Sequence, residues 1–283
     1  VHAAKGDGVM EFGLRRAQGP DAGIYGARAA MIGGCIGTSN VLAGQLFDVP
    51  VKGTHAHSWI MSFPDEYTAF KKYSELYPDA CILLADTYDT LKSGVPNAIR
   101  VFTEMREAGI PLTFYGIRLD SGDLAYMSKK ARRMLDEAGF PDAVISASSD
   151  LDEYLITSLK AQDAAITSWG VGTNMITSSD CPAFGGVYKL AAVLGEDGEF
   201  IPKIKLSENS EKIRADLISL ADETFDCSQD LLIFDSVETW KKTNLKGGSY
   251  HMRNLLVPVF LKGECVYTSP SGMEIRDYCA QEQ

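Results

Sequence analysis

The sequence lacks any apolar run of the roughly 18–20 residues that a transmembrane helix needs. It has no signal-peptide pattern at its start. Its six cysteines form no CxxC pair, and none stands at zinc-finger spacing from a histidine. Scattered cysteines in a chain of this size are typical of reduced thiols. We therefore expect a cytoplasmic protein with no membrane partner and no disulfide framework.

Basic residues are scarce in this chain. Its 27 lysines and arginines stand against 38 acidic residues, for a formal net charge of −11. This balance argues against nucleic acid or an anionic membrane as the main partner, because both require a basic surface. The net negative charge is compatible with a small anionic ligand that is held by local basic groups. With 283 residues, 45% of them hydrophobic, the chain can form one large domain or two smaller ones.

Short apolar runs alternate with amphipathic stretches through the middle of the chain. The predicted strands are 49–53, 80–85, 112–117, 143–147 and 165–169. The predicted helices between them are 64–77, 96–108, 123–138 and one that ends near Lys160. This alternation predicts βαβ units and a parallel α/β sheet, either closed as a (βα) barrel or open and doubly wound.

The pattern of the sequence changes after Gly185. Two helices, 23–33 and 39–47, are predicted before the alternating region, whereas the part after it is rich in short strands. These are 186–194 and 200–206, joined by a turn at 195–198, then 217–219, 231–234, 255–260 and 265–267, with a surface loop over 241–254. We expect a barrel core over residues 1–194 and a β-rich C-terminal region over residues 195–283.

Polar or Gly-rich turns follow each predicted strand. They contain His57, Asp86, Arg118 with Asp120, Ser149 with Asp150, and Gly170 with Gly172. Both candidate architectures bring the carboxyl ends of parallel strands to one edge. The sequence therefore predicts that these residues lie together and that His57, Arg118, Asp120, Ser149 and Gly172 line a single pocket.

Several of these residues suit an anionic, sugar-like ligand. The fork of Arg118 can bind phosphate or carboxylate, and Asp120 can hold ribose hydroxyls or Mg²⁺. The simplest role for Asp123 is to cap the next helix. The Ser149–Asp150 and Gly172–Thr173 turns, each before a predicted helix, suit phosphate, although a tight turn that needs only its small residues explains them equally simply.

Two further segments allow alternative interpretations. His55 and His57 lie two apart, so they point to one side of an extended segment. A metal site would need a third ligand that is not evident, so an acid, base or nucleophile is favoured there. Phe12 beside Arg15 can stack on a flat ring and neutralise its anionic substituent, or the arginines can form a plain basic surface.

Five motifs in order along the chain resemble those of nicotinate phosphoribosyltransferases. They are Glu11–Asp21, Gly37–Gly44, Gly53–Ser58, Arg118–Asp123 and Trp169–Thr173. The resemblance implies an irregular α/β barrel of the type II phosphoribosyltransferase kind with a β-rich C-terminal extension. It implies transfer of phosphoribosyl from phosphoribosyl pyrophosphate to nicotinate, coupled to ATP and assisted by Mg²⁺, in NAD biosynthesis. It also implies a homodimer in the full-length form.

The resemblance also assigns roles to residues. His57 matches the phosphorylated histidine, and Asp120 is expected to act beside it in catalysis. Phe12 and Arg15 match the nicotinate clamp. Ser39 stands where nicotinamide-specific relatives carry an acid, and a neutral residue suits a carboxylate substrate. The matched substrate, ribose and sugar-phosphate contacts are Arg118, Asp120, Ser149, Asp150, Gly172 and Thr173.

Two alternatives stay open at this point. One is a nicotinamide-specific relative, and the other is an inactive barrel fragment that only binds its ligands. The chain begins with Val1 rather than Met, and its relatives are much longer. We therefore expect a fragment that lacks an N-terminal domain, and its own activity is a question for experiment.

Overall fold

The chain divides into two compact units. The computed structural model describes residues 1–183, 185, 190, 192–203, 216–221, 229–233, 251–254 and 257–281. The first unit comprises Val1–Ala183 and Pro270–Gln283, and the second comprises Phe184–Ser269. The boundary therefore precedes the predicted division at 194/195, and the end of the chain returns to the first unit.

Six described strands of the first unit form one parallel sheet. They are β1 (Gly8–Glu11), β2 (Gly37–Thr38), β3 (Cys81–Leu84), β4 (Tyr115–Leu119), β5 (Val144–Ala147) and β6 (Ser168–Val171). Their order is β2-β1-β6-β5-β4-β3, and the sheet curls into a half-barrel. The register places Leu84 beside Arg118, and Glu11 beside Val171 on one side and Thr38 on the other. All six strands thus end at one edge.

Helices connect and cover these strands. They are α1 (Pro20–Ile32), α2 (Val41–Phe47), α3 (His57–Met61), α4 (Glu66–Leu76), α5 (Val95–Glu107), α6 (Leu124–Glu137), α7 (Glu153–Ala161), α8 (Thr173–Ile176) and α9 (Gly272–Gln281). Asp65, Asp123 and Asp152 precede α4, α6 and α7, and each accepts a hydrogen bond from the amide three residues later. The capping role expected for Asp123 is confirmed.

The alternating pattern is largely confirmed, with two differences. Residues 49–53 form no full strand, because only Val51 bridges to Thr38 of β2. The sequence reasoning also missed two strands, the two-residue β2 and β1, which lies between β2 and β6. Its four residues end in Glu11, a carboxylate that is buried completely, so the segment does not show the apolar pattern of a central strand.

Large side chains fill the space between the sheet and its helices. Phe102, Tyr115 and Phe140 pack edge to face, with ring centroids 5.1–6.0 Å apart, and Trp169 is fully buried. Burying one such aromatic side chain stabilises the fold by about 1.5–3 kcal/mol. This packing fixes the strand ends from which the polar residues project. Cys35 and Cys81 are buried free thiols, and Cys181 and Cys265 are exposed free thiols.

The second unit is rich in β-structure. β7 (Ala192–Leu194) pairs with β8 (Phe200–Pro202), and β9 (Asp216–Ala221) pairs with β10 (Gln229–Ile233) and β11 (His251–Asn254). Short strands β12 (Phe260–Leu261) and β13 (Glu264–Cys265) form a further pair. The predicted loop over 241–254 is wrong for β11. The other residues of that predicted loop, 241–250, lie outside the described residues. The same is true of most of 186–191 and of residues 204–206, 234 and 255–256 in the predicted strands.

The C-terminal helix differs from the sequence-based expectation. Residues 195–283 were expected to form a β-rich region with no predicted helix, but α9 is helical and packs on α1. Within the described residues, no helix is both long enough and apolar enough to cross a membrane.

Candidate active site

One cavity of about 650 Å³ lies at the carboxyl ends of the parallel strands. All ten candidate residues from the sequence line it: Phe12, Arg15, Ser39, His57, Arg118, Asp120, Ser149, Asp150, Gly172 and Thr173. The prediction of a single pocket is confirmed. Parallel strands bring their ends together, and this is why residues far apart in the sequence meet here.

Arg118 lines the cavity and is held by three side chains. Its Nε donates to Ser148 Oγ at 2.8 Å, its Nη1 to Thr54 Oγ1 at 2.8 Å, and its Nη2 to Asp120 Oδ1 at 3.1 Å. Its guanidinium carbon lies 5.7 Å from the ring centroid of Phe12. Since a guanidinium has five N–H groups, these bonds leave two for an anionic ligand.

Asp120 is held in its charged form. Burial alone would raise the pKa of its carboxyl group, but hydrogen bonds from Ser148 and Arg118 and the charge of Arg118 lower it below its usual value. The Ser148 hydroxyl donates to the same oxygen that Arg118 contacts. The other oxygen, Oδ2, is therefore the one that can contact a ligand or a cation.

His57 is the first residue of α3, and its ring reaches into the cavity. Nδ1 lies 3.0 Å from Thr87 Oγ1. Nε2 faces two carboxylates, Asp120 Oδ2 at 3.6 Å and Asp86 Oδ1 at 4.0 Å. Its side chain is 39% exposed. The ring is thus held at one nitrogen, while the other is accessible beside the acidic pair.

His55 has a different environment. It is buried, and its ring packs edge to face on Tyr73 with centroids 4.5 Å apart. Its Nε2 accepts a hydrogen bond from the Leu84 amide at 3.2 Å. Burial lowers the pKa of His55 to about 4, so the ring is neutral near pH 7. Sequence spacing could not separate the two histidines, but their contacts do.

The aromatic end of the cavity is formed by Phe12 and its neighbours. The Phe12 ring lies over Gly170, where an added Cβ would come within 2.7 Å of two ring carbons. Arg15 and Arg16 lie on an exposed 3₁₀ turn at the cavity wall. Ser39 is half-buried on the same wall, and its amide donates to the Glu11 carbonyl at 3.0 Å. An aromatic surface, a cation and a neutral hydroxyl therefore lie together.

The Gly- and Ser-rich turns complete the lining of the cavity, and a Cβ added at Gly172 would lie 3.1 Å from the Phe12 carbonyl oxygen. Gly172 directly precedes α8, as expected, although that helix has only four residues. The expectation of a helix start at Ser149–Asp150 is wrong, because α7 begins at Glu153 and is capped by Asp152. Ser149 and Asp150 lie in a loop with φ angles of 91° and 44°. Thr173 Oγ1 approaches Asp150 Oδ1 at 3.4 Å, so the two turns adjoin.

Sequence profiles of known families match nearly the whole chain. The profile described as the nicotinate phosphoribosyltransferase (NAPRTase) family matches residues 8–217, and that of the nicotinate phosphoribosyltransferase C-terminal domain matches residues 204–283. The chain belongs to the nicotinate phosphoribosyltransferase family. The resemblance inferred from the five motifs is confirmed.

Individual relatives agree with this assignment. The nicotinate phosphoribosyltransferase of Bacillus subtilis is 49% identical over 293 residues, covering 96% of this chain and 58% of that protein. The Dictyostelium discoideum protein of the same name is 34% identical over 343 residues, covering 97% and 57%. The crystal structure of human nicotinic acid phosphoribosyltransferase superposes with a TM-score of 0.78 at 25% identity, covering 99% and 65%. The chain thus spans less than two thirds of these relatives, and the barrel fold is confirmed.

Within this member of the family, the structure adds residues to which sequence reasoning gave no role. Asp86 was noted only as a strand-end residue. Its side chain is 2% exposed, and Oδ2 accepts from the Asp120 amide at 2.9 Å and the Ser121 hydroxyl at 2.5 Å. Thr87, which contacts His57, follows it directly. Their position after β3 was the available signal, but their contacts with Asp120 and His57 depend on the tertiary fold.

Glu11 is the second addition. One oxygen accepts from the Gly13 amide and the other from Thr38 Oγ1 at 2.5 Å, and the carboxylate is fully buried. Glu11 therefore fixes the backbone on either side of Phe12. Its bond with Thr38 also links β1 to β2, directly before Ser39. Its position within the first motif was visible in the sequence, but no pattern indicated that it is buried.

The magnesium expectation can be tested against the donor atoms. The described residues contain no group of three or more His, Cys, Asp or Glu side chains arranged to hold a metal ion. Mg²⁺, however, usually takes one or two carboxylates and completes its shell with water and substrate phosphates. Asp86 Oδ1 is buried without a hydrogen-bond partner in the described residues, and Asp120 Oδ2 faces the same histidine nitrogen. The two carboxylates fit such a partial site.

Proposed function

We propose that the protein to which this chain belongs transfers phosphoribosyl from phosphoribosyl pyrophosphate to nicotinate, giving nicotinate mononucleotide and pyrophosphate. The observation that carries the proposal is the cavity itself. Phe12 and Arg15 line it together with the Arg118–Asp120 pair, and His57 faces Asp120. The family membership and the names of the relatives support the same reaction.

Nicotinate would bind at the aromatic end. Its ring would stack on Phe12, and Arg15 would pair with its carboxylate. Ser39 supports nicotinate over nicotinamide, since a neutral residue beside the ring does not repel a carboxylate. The pyridine nitrogen would then face the middle of the cavity, where the sugar carbon has to lie.

The reaction forms a bond between the pyridine nitrogen and C1 of the ribose while the bond from C1 to the pyrophosphate oxygen breaks. The transition state carries positive charge on the sugar and additional negative charge on the leaving pyrophosphate. Arg118, with two N–H groups left, would stabilise the leaving group. Asp120 would hold ribose hydroxyls and stabilise the sugar cation. Ser149, Asp150, Gly172 and Thr173 would bind the sugar phosphate.

Mg²⁺ would be held by Asp86 and Asp120 and would neutralise charge on the pyrophosphate. This assignment rests on the buried, unpartnered Asp86 Oδ1 among the described residues and on the oxygen donors that Mg²⁺ prefers. Asp120 remains charged because of its contacts with Ser148 and Arg118, so it can serve the ion and the sugar at pH 7.

ATP coupling would proceed through His57. The free nitrogen, Nε2, would attack the terminal phosphorus of ATP, releasing ADP, and water would later hydrolyse the phosphohistidine to phosphate. Support comes from Thr87, which occupies Nδ1 and leaves Nε2 directed at the acidic pair. The added phosphate would lie where pyrophosphate and Mg²⁺ assemble, and would change that assembly.

Turnover assays with nicotinate and with nicotinamide test the proposal. The full-length protein, a homodimer in this proposal, should form nicotinate mononucleotide in the presence of phosphoribosyl pyrophosphate, ATP and Mg²⁺. Nicotinamide should react far more slowly. Equal use of nicotinamide would contradict the role of Ser39, and nicotinate binding without turnover would favour a binding module. The same assay on the 283-residue chain measures how much of the site this portion supplies.

A further inference from the structure

The gap between the outer strands of the curled sheet is spanned by a single segment. Among the described residues, β3 pairs with β4 on one side, and β2 pairs with β1. Val51 makes one bridge to Thr38 at the β2 edge, and His55, four residues later, reaches the β3 edge. Residues 51–55 thus connect the two ends of the half-barrel, and Gly53, Thr54 and His55 line the cavity.

At the β3 edge the connection is made by a side chain. The amides of Cys81 and Ala85 donate to carbonyls on the β4 side. Because amides alternate along a strand, the Leu84 amide points to the opposite edge. There it donates to His55 Nε2 at 3.2 Å, in the place where a neighbouring strand would offer a carbonyl oxygen. The imidazole therefore accepts the hydrogen bond that a carbonyl of a neighbouring strand would otherwise accept.

The contacts around His55 hold its ring in one orientation. Tyr73 packs edge to face on the ring, and Phe70 lies 6.1 Å away between centroids. An Nε2 that accepts a hydrogen bond must be unprotonated, so the proton of the neutral ring is on Nδ1. That nitrogen is buried and has no partner among the described residues. The ring thus contributes its packing on Tyr73 and the acceptor at Nε2.

The chain on either side of His55 belongs to the site. The Thr54 hydroxyl accepts from Arg118 at 2.8 Å, Ala56 precedes α3, and His57 opens that helix. We propose that His55 is a positioning residue, which anchors the 53–58 segment to the edge of β3 and thereby fixes the His57 imidazole between Thr87 and the two carboxylates. The reactive role of His57 rests on the proposed function, but the anchoring does not.

Two variants distinguish the hydrogen-bond acceptor of His55 from the packing of its ring. In His55→Gln, the amide oxygen can reach the position of Nε2 and accept from Leu84, whereas His55→Phe keeps an aromatic ring but has no acceptor. Loss of one hydrogen bond should increase the population of the state in which this contact is broken by roughly 3–10-fold. We expect faster exchange of the Leu84 amide by that factor in His55→Phe and near-normal exchange in His55→Gln.

The orientation of His57 is read by ¹⁵N NMR of its imidazole in the 283-residue chain, which contains only four histidines. In His55→Phe, both nitrogen shifts should move towards the average of two exchanging tautomers, and His55→Gln should restore the wild-type pattern. A role confined to stability would lower the melting temperature and leave the His57 shifts in place, and that result would overturn the proposal.

A third variant, His55→Leu, is used if His55→Phe does not fold. Failure of both to fold would show a requirement for folding rather than positioning, and would also overturn the proposal. In the full-length protein, His55→Phe should slow phosphate labelling of His57, and His55→Gln should restore the wild-type rate. Altered NMR shifts with no labelling even in the wild type would uphold the anchoring and refute ATP coupling through His57.

Discussion

Gly170→Ala tests whether Phe12 forms the wall against which nicotinate stacks. Gly170 lies in β6, and a Cβ placed there would be 2.7 Å from both Phe12 Cδ2 and Cε2. Carbon atoms pack at roughly 3.5–4.0 Å, so the ring must move by about 1 Å. Ser148 Cβ, at 3.5 Å from the added carbon, is at an ordinary contact distance and need not move.

A shift of this size acts on positioning more than on folding. Overpacking of this kind costs about 1–3 kcal/mol of unfolding free energy. Displacing a substrate-positioning group by about 1 Å costs on the order of 100-fold in rate. We expect kcat/KM for nicotinate to fall by roughly 10–100-fold, while the KM for phosphoribosyl pyrophosphate changes little, since its expected contacts lie on other residues.

The assay is steady-state kinetics of the full-length protein, with each substrate varied at saturating levels of the other. Gly185→Ala is the matched control, because among the described residues a Cβ there meets nothing within 4 Å. It should leave both KM values unchanged. If Gly170→Ala alters neither substrate, or raises both KM values equally, Phe12 does not form the nicotinate wall.

Three further predictions concern charged and reactive side chains. Arg15→Ala should raise the nicotinate KM by an amount equivalent to about 1.5–3 kcal/mol and disturb phosphoribosyl pyrophosphate less; equal effects on both would make Arg15 a phosphate ligand or a structural residue. His57→Ala should abolish acid-labile labelling by γ-labelled ATP while slow ATP-independent transfer persists, and label that survives would place the acceptor elsewhere. Because the pKa of Asp120 is lowered on folding, its stabilisation is present above its usual pKa and is lost as pH falls towards the lowered value. Asp120→Asn should therefore flatten the acid side of the melting temperature plotted against pH, and an unchanged acid side would show that Asp120 is not stabilised as a carboxylate.

The sequence by itself indicated the alternation of strands and helices and the residues of the site. This was possible because a parallel sheet brings every strand end to one edge, so that a polar residue directly after a strand lies at the site whatever the exact architecture. Arg118, Asp120 and Gly172 could be placed there without coordinates. The five motifs then named the family, because their order along the chain is far more specific than any one of them.

Other features depended on burial and pairing, which the sequence pattern does not report. β1 was missed because Glu11 interrupts its apolar run, and only the fold shows that this carboxylate is buried on hydrogen bonds from Gly13 and Thr38. The start of α7 was misplaced because Asp150 and Asp152 are both acceptable caps, and the path of the loop selects the second.

The two histidines show most clearly what only the tertiary structure decided. Their sequence positions are equivalent to within two residues, and both were compatible with catalysis. The fold buries His55 against Tyr73 at the edge of β3 and places His57 between Thr87 and a pair of carboxylates. Reactivity depends on solvent access and on which nitrogen is free, and both are set by side chains from distant strands. Spacing in the sequence could therefore name the segment but not the role of each ring, and only the match to the family motif indicated His57.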